Sequence, residues 1–292
     1  MPDLLWKQCY RRDFMKIGVC VGHQAQKTDE AFAKMAKNGF SCCQFISWNP
    51  SLWTAEERDH ILAAAEKYGI TITAFWCGWT GPVVWNFYEG QETLGLVPTA
   101  YRHQRMNEIL AGAKFAKSLG VNTVVTHVGF LPENPYDPHY PALLVCLRKI
   151  AETLYADGQD FLFETGQETP VTLLRTIEDI GCDNVGVNLD TANVILYGKA
   201  NPVDALDVFG KYVRGVHCKD GLYPTNGREL GREVKIGSGK ANLREVIRKL
   251  HELGYAGSLT IEREIEGAQQ DADILEAREL LSNYVKEAEE AK

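Results

Sequence analysis

The chain has 292 residues and a formal net charge of −8, from 31 Lys and Arg against 39 Asp and Glu. Binding to a phosphate backbone draws on clustered basic residues, which an acidic chain with scattered Lys and Arg does not offer, so a nucleic-acid partner is excluded as a reading. At 45% hydrophobic and 24% charged residues the composition is that of an ordinary globular protein, which rules out disorder, collagen and coiled coil.

Residues 1–14 (MPDLLWKQCYRRDF) place Arg11 and Arg12 after a few apolar residues, the reverse of a secretory signal, and read as an N-terminal extension. From residue 15 to 292, short β-rich runs alternate with helix-period segments and no Pro/Ser-rich linker divides them. The runs fall at 15–21, 41–47, 70–76, 121–127, 160–164, 185–190, 213–218 and 258–262. Between them, Thr54 with Glu57 reads as a capping box and Asn242 with Glu245 as a weaker variant. Thr169-Pro170 and Asn201-Pro202 place a cap before a first-turn proline. Gly39, Gly69, Gly120, Gly181 and Gly254 stand where helices should stop. Eight βα units predict a single-domain α/β fold, the (β/α)8 TIM barrel, over 15–292.

A doubly wound open sheet uses the same units, but its nucleotide-binding forms carry a glycine fingerprint after an early strand. Gly22-His23-Gln24-Ala25 does not match it. Gly237-Ser238-Gly239-Lys240 looks phosphate-friendly, yet Val234 stands where the first glycine of a P-loop belongs and Ala241 follows the lysine. No apolar run approaches the roughly 18 residues of a membrane span. The eight cysteines include no CxxC spacing and read as reduced thiols. A cytoplasmic protein without membrane partner is the expectation.

In such a barrel, polar residues that terminate apolar strands face the shared mouth. The last four runs end in Phe161-Leu162-Phe163-Glu164, Val187-Asn188-Leu189-Asp190, Gly215-Val216-His217 and Leu259-Thr260-Ile261-Glu262. Singly, each of these polar residues could cap a helix or join a salt bridge. Together they bring three carboxylates and an imidazole to one place, which is strongly unfavourable unless a cation lies among them. A divalent metal resolves this. Three oxygen donors and one nitrogen favour Mn2+ or Mg2+, with Co2+ or Zn2+ as alternatives.

The series FLFETGQE, VNLDTAN, GVHCKDG and TIERE resembles the xylose-isomerase-like barrel superfamily, the sugar phosphate isomerase/epimerase group that includes D-tagatose 3-epimerase, inosose dehydratase and endonuclease IV. The resemblance implies Glu164, Asp190, His217 and Glu262 as ligands of one divalent metal, with Glu164 and Glu262 doubling as acid and base. Epimerases of this kind often carry a histidine three residues after the aspartate, where this chain has Asn193. The implied activity is isomerisation or epimerisation of a ketose or keto-sugar by proton abstraction through an enediolate. A dehydratase or lyase of the inosose or dehydroshikimate type would share the first step. An endonuclease reading fits poorly with seven histidines and an acidic surface. A non-catalytic sugar-binding barrel would not need two flanking glutamates.

Around this set, His127 ends the fourth run and either reaches a substrate hydroxyl or bonds structurally. Lys219 and Asp220 follow His217, and Asp220 reads as a partner orienting that imidazole or as a turn residue. Glu168 faces the mouth or caps the helix beginning at Pro170. Glu264 shares the strand parity of Glu262 and sits higher. Three long connections, 77–98, 128–141 and 220–240, stand over the mouth. The first carries Trp79, Trp85, Phe87 and Tyr88, and with Trp76 and Trp48 these compose an aromatic wall suited to a sugar or polyol substrate, or to a subunit interface in a homo-oligomer.

Overall fold

The computed structural model describes residues 15–290, so the extension assigned to 1–14 lies outside the described residues, as do the last two residues of the chain. Strands β1 (Ile17–Gly22), β2 (Cys42–Ser47), β3 (Thr71–Cys77), β4 (Thr123–Thr126), β5 (Asp160–Glu164), β6 (Val185–Asp190) and β7 (Val213–Cys218) pair in parallel with their neighbours in sequence. A separate antiparallel hairpin, β8 (Asp220–Leu222) with β9 (Arg232–Val234), follows. Finally β10 (Leu259–Ile261) pairs with both β7 and β1. That last pairing closes the eight-stranded barrel and excludes the open sheet. The hairpin was not expected: its strands are three residues each and carry no apolar run.

Around the barrel run α1 (Thr28–Lys37), α2 (Ala55–Tyr68), α3 (Gly90–Thr93), α4 (Thr99–Ser118), α5 (Tyr140–Ala156), α6 (Pro170–Ile180), α7 (Asn193–Leu196), α8 (Pro202–Phe209), α9 (Leu243–Glu252) and α10 (Ala268–Glu290). Side chains alternate across each strand. The outward-facing set, including Val19, Phe45, Phe75, Phe161, Val187 and Leu189, packs under the helices as the main core. The inward-facing set divides by strand. Ala74, Trp76, Val125 and Leu162 form a small apolar cluster on β3 to β5. On β2, β6, β7 and β10 the interior holds Gln44, Asn188, His217 and Thr260, all buried. Gly215 makes room for this polar half: a Cβ there would lie 2.3 Å from Asn188 Oδ1.

The five glycines expected to stop helices all adopt positive φ, from 64° to 79°. Thr54 Oγ1 accepts from Glu57 N at 3.2 Å, but the Glu57 carboxylate turns away to His23 and Gln26, leaving half a capping box. Asn201 caps α8 by accepting from Asp204 N. Thr169 makes no cap bond to its helix, and its hydroxyl goes to Glu133 instead. The expected Asn242 cap does not form, because Asn242 takes a left-handed conformation (φ 49°) and Glu245 pairs with Arg248.

The 77–98 connection is held by Arg105 of α4. Its guanidinium, fully buried, donates to the carbonyls of Thr93, Gly95, Pro82 and Thr80 at 2.7 to 3.4 Å. Leu96 N bonds Val128 O at 2.8 Å, tying the connection to the start of the next one. Gly95 permits the approach, since a Cβ would fall 2.1 Å from the Val128 carbonyl carbon. No helix among the described residues is long and apolar enough to cross a membrane.

Candidate metal and active site

The carboxyl ends of β5, β6, β7 and β10 bring Glu164, Asp190, His217 and Glu262 together, with one donor atom of each within 4.8 Å of the others. Register explains the convergence: Asp190 pairs with His217 across β6 and β7, and His217 pairs with Thr260 on β10, two residues before Glu262. His217 Nδ1 stands 3.0 Å from Glu164 Oε1, 3.4 Å from Glu262 Oε2 and 3.9 Å from Asp190 Oδ2. Donors about 2.1 Å from a common centre are separated by about 3 to 4 Å, so these spacings fit a single bound divalent ion. Asp190 supplies a second observation. Its Oδ1 accepts the amides of Ala192 and Asn193, while Oδ2, fully buried and facing the cluster, has no hydrogen-bond partner.

Charge in the cluster is shared among Glu164, Asp190, Glu262, His127, His217 and Lys219. Burial pushes the carboxyls up, but His127 and His217 outweigh it at Glu164 and hold that acid below its ordinary value. At Glu262, burial is likewise overcome by Lys219 and His217, which hold it well below. Asp190 is dominated by burial, which Lys219 only partly offsets, and rises well above. An ion is not the only counter-charge available to these carboxylates. The structure adds Lys219, buried behind Glu262, with Nζ 3.2 Å from Glu262 Oε2, 3.9 Å from Asp190 Oδ2 and 2.7 Å from Glu264 Oε2. Glu264 is thereby drawn to the lysine and stays outside the cluster, its side chain 60% exposed.

The remaining expected residues separate into those at the cluster and those away from it. Trp76 Nε1 donates to Glu164 Oε2, Asn193 Nδ2 to Glu164 Oε1, and His127 Nε2 lies 3.6 Å from the same oxygen. All three line the cavity above the cluster, whereas Lys219 does not reach that surface. Asp220 is a correction. It does not touch His217, because its carboxylate accepts four backbone amides, from Gly221, Gly237, Gly239 and Ala241, at 2.9 to 3.0 Å. The glycine-rich turn that looked suited to a phosphate thus wraps the chain's own aspartate. Glu168 is also away from the cavity lining: it is buried, and neither carboxylate oxygen has a hydrogen-bond partner.

Two residues at the cluster were not anticipated. Gln44 Oε1 accepts from His217 Nε2 at 2.9 Å, and Gln44 Nε2 donates to Asn188 Oδ1 at 2.8 Å. With Nε2 committed as donor, the Nδ1 lone pair is the one available to a metal. The signal was an isolated amide within an otherwise small or apolar strand, Cys-Cys-Gln-Phe-Ile. Cys20 Sγ lies 3.6 Å from His217 Nε2, and Cys20, His217 and Glu262 form a second possible donor group. Burial raises the Cys20 thiol to about 11.

The xylose isomerase-like TIM barrel family model matches residues 32–284. Among curated proteins, an uncharacterized protein of Methanocaldococcus jannaschii is 29% identical over 182 residues, and the match spans 58% of each chain. A xylose isomerase domain protein from Planctomyces limnophilus superimposes with a TM-score of 0.88 at 33% identity, covering 95% of this chain and 100% of that one. A xylose isomerase-like TIM barrel protein from Mycobacterium smegmatis in complex with magnesium gives 0.72 at 18% identity, over 96% and 99% of the two chains. An L-ribulose 3-epimerase gives 0.72 at 18% identity, over 94% and 96%.

Proposed function

The chain belongs to the xylose isomerase-like TIM barrel family, and from that premise we propose that it is a divalent-metal-dependent isomerase or epimerase that moves a proton next to the carbonyl of a ketose or keto-sugar. The observation that carries this reading is the set of four donors within 4.8 Å, two of them glutamates on strands three apart around the barrel. Glu164, Asp190, His217 and Glu262 would hold the ion, and Mn2+ or Mg2+ suits their oxygen-rich chemistry. Bound there, it would supply Lewis acidity toward a carbonyl and an adjacent hydroxyl, worth several kcal/mol.

The protein's own groups account for the proton. Glu262, beside the Lys219 ammonium, lies well below the ordinary carboxyl value and Glu164 lies below it as well, so either can accept a proton from carbon at neutral pH. Glu164 is fixed in place by Trp76 and Asn193, and Glu262 by Lys219. Approaching from different sides of the mouth, one can remove a proton and the other return it to the opposite face. His127 and Asn193, both lining the cavity beside Glu164, would bond substrate hydroxyls and fix the sugar's orientation.

Metal content by elemental analysis, followed by incubation of the loaded protein with ketoses, inososes and keto-acids in D2O under NMR, tests the reading. One equivalent of a divalent ion and deuterium entering at a single carbon are expected, both abolished by chelation. A growing enone absorbance would redirect the assignment to a dehydratase, and a loaded protein that exchanges no proton in any of these compounds would overturn it.

Gln44→Leu provides a separate check on the metal. Losing the acceptor of His217 Nε2–H frees the imidazole to rotate or change tautomer, and such outer contacts typically govern about 10 to 100-fold in metal affinity. Calorimetric titration with Mn2+ should show a weakening of that size, and an unchanged affinity would remove Gln44 from this role.

A further inference from the structure

Resting on the isomerase reading above, we propose that the substrate is an uncharged keto-sugar bearing a second sugar ring through a glycosidic bond, with that second ring seated on an outer subsite formed by Trp48 and Trp85.

Size is the first argument. The cavity above the cluster measures about 850 Å3. One hexose ring, packed at protein-like density, fills on the order of 200 Å3. A single ring would leave most of the space to water, whereas two rings and their bridging waters fill it. A groove of about 550 Å3 between β1, α1 and the start of α10 adjoins it and shares Cys20, Gly22, Gln270 and Ile274.

The aromatic wall is built in two tiers. Trp76, 3% exposed, donates to Glu164 and belongs to the reacting end. Trp48 and Trp85 are 37% and 42% exposed, and Trp85 also meets the His127 ring at 5.1 Å. Trp48 packs on Trp76 with centroids 4.8 Å apart, and Trp85 meets Trp48 edge-on at 6.5 Å. The outer indoles thus keep surface open at the rim, where most large aromatics would be covered. A pyranose offers polarised C–H groups that pair with the electron-rich indole face, and an exposed tryptophan suits a group that is apolar on one side and wet on the other.

Charge then selects among substituted ketoses. The cavity is lined by Glu164, Glu262, Glu264 and Glu266 against one cation, Arg263. That guanidinium is already engaged, at 2.9 Å by Glu233 and 2.8 Å by Asp273. Lys219 is paired with Glu262 and Glu264, Lys235 with Glu276 on α10, and Lys240 lies outside the cavity lining. A phosphate entering between these lining carboxylates would meet like charge, while a neutral second ring meets carboxylates able to accept from its hydroxyls.

The test titrates the metal-loaded and metal-depleted full chain calorimetrically with D-fructose, D-fructose 6-phosphate, and two disaccharides ending in a reducing ketose, lactulose and isomaltulose. At least one disaccharide should bind about tenfold more tightly than D-fructose, the size of one or two stacking contacts, and the phosphate more weakly than D-fructose. Trp85→Ala should raise the disaccharide Kd several-fold more than the D-fructose Kd, with Trp85→Phe restoring most of the preference. The proposal is overturned if the phosphate binds best, if neither disaccharide is preferred, or if Trp85→Ala shifts all Kd values alike. Deuterium exchange run on the same compounds separates the two levels: exchange into D-fructose without disaccharide preference sinks only the outer subsite, whereas the expected preference without exchange in any compound sinks the isomerase reading beneath it.

Discussion

Glu262→Gln, saturated with metal, is expected to exchange substrate protons about 10² to 10⁴-fold more slowly than the parent chain, the span attributed to one positioned acid–base group. The amide keeps an oxygen that can face the cluster but cannot accept a proton from carbon. Lys219 then retains Glu264, whose Oε2 lies 2.7 Å from its Nζ, so the buried ammonium is not left isolated. Exchange rates measured by NMR at saturating metal separate lost proton transfer from lost binding. Rates equal to those of the parent chain would remove Glu262 as acid or base while leaving it as a ligand.

The second large effect concerns stability. Glu168 is buried with both carboxylate oxygens unpartnered, and burial raises it to about 8, with nearby amides of Glu168 and Gly166 and the more distant Lys199 pulling only weakly the other way. A carboxyl whose folded value lies above its unfolded value holds its proton more tightly in the folded state. Stability is therefore present in full below the unfolded value of about 4.5 and is lost as pH rises toward about 8. Glu168→Gln removes this ionisation, so the variant should be more stable than the parent by about 3 kcal/mol at pH 7. The gap should shrink toward zero near pH 4.5 and level off above 8. Denaturant midpoints of the two chains across this range measure it, and a gap that does not vary with pH would show that Glu168 is already ionised in the folded protein.

Residues that end apolar strands were legible from sequence because strand period and barrel geometry together dictate where they point. Glu164, Asp190, His217 and Glu262 needed only the positions of their runs, and they converge as that reasoning requires. Contacts between strands far apart in sequence were not legible. Gln44 lies 173 residues from the imidazole it supports, and only the closed ring brings β2 and β7 to bear on one interior layer. Asp220 follows the turn-residue alternative. Closeness in sequence suggested a contact with His217, but the chain turns into a hairpin at that residue and spends its carboxylate on loop amides. Asn242 shows the limit of cap motifs, since a left-handed backbone overrides the side chain's preference. Lys219 was visible as a residue but not as a counter-charge, because burial beside Glu262 depends on how β7 and β10 pack.

Arg105 gathers four carbonyls of the 77–98 connection around one guanidinium, and Leu96 ties the same segment to Val128. The entropic cost of ordering that connection is therefore incurred once, during folding, and not at each encounter with a ligand. An aromatic frame set in advance lets a newcomer dock without waiting for a flap to swing, and it allows selectivity to drift by exchanging single indoles on an unchanged support.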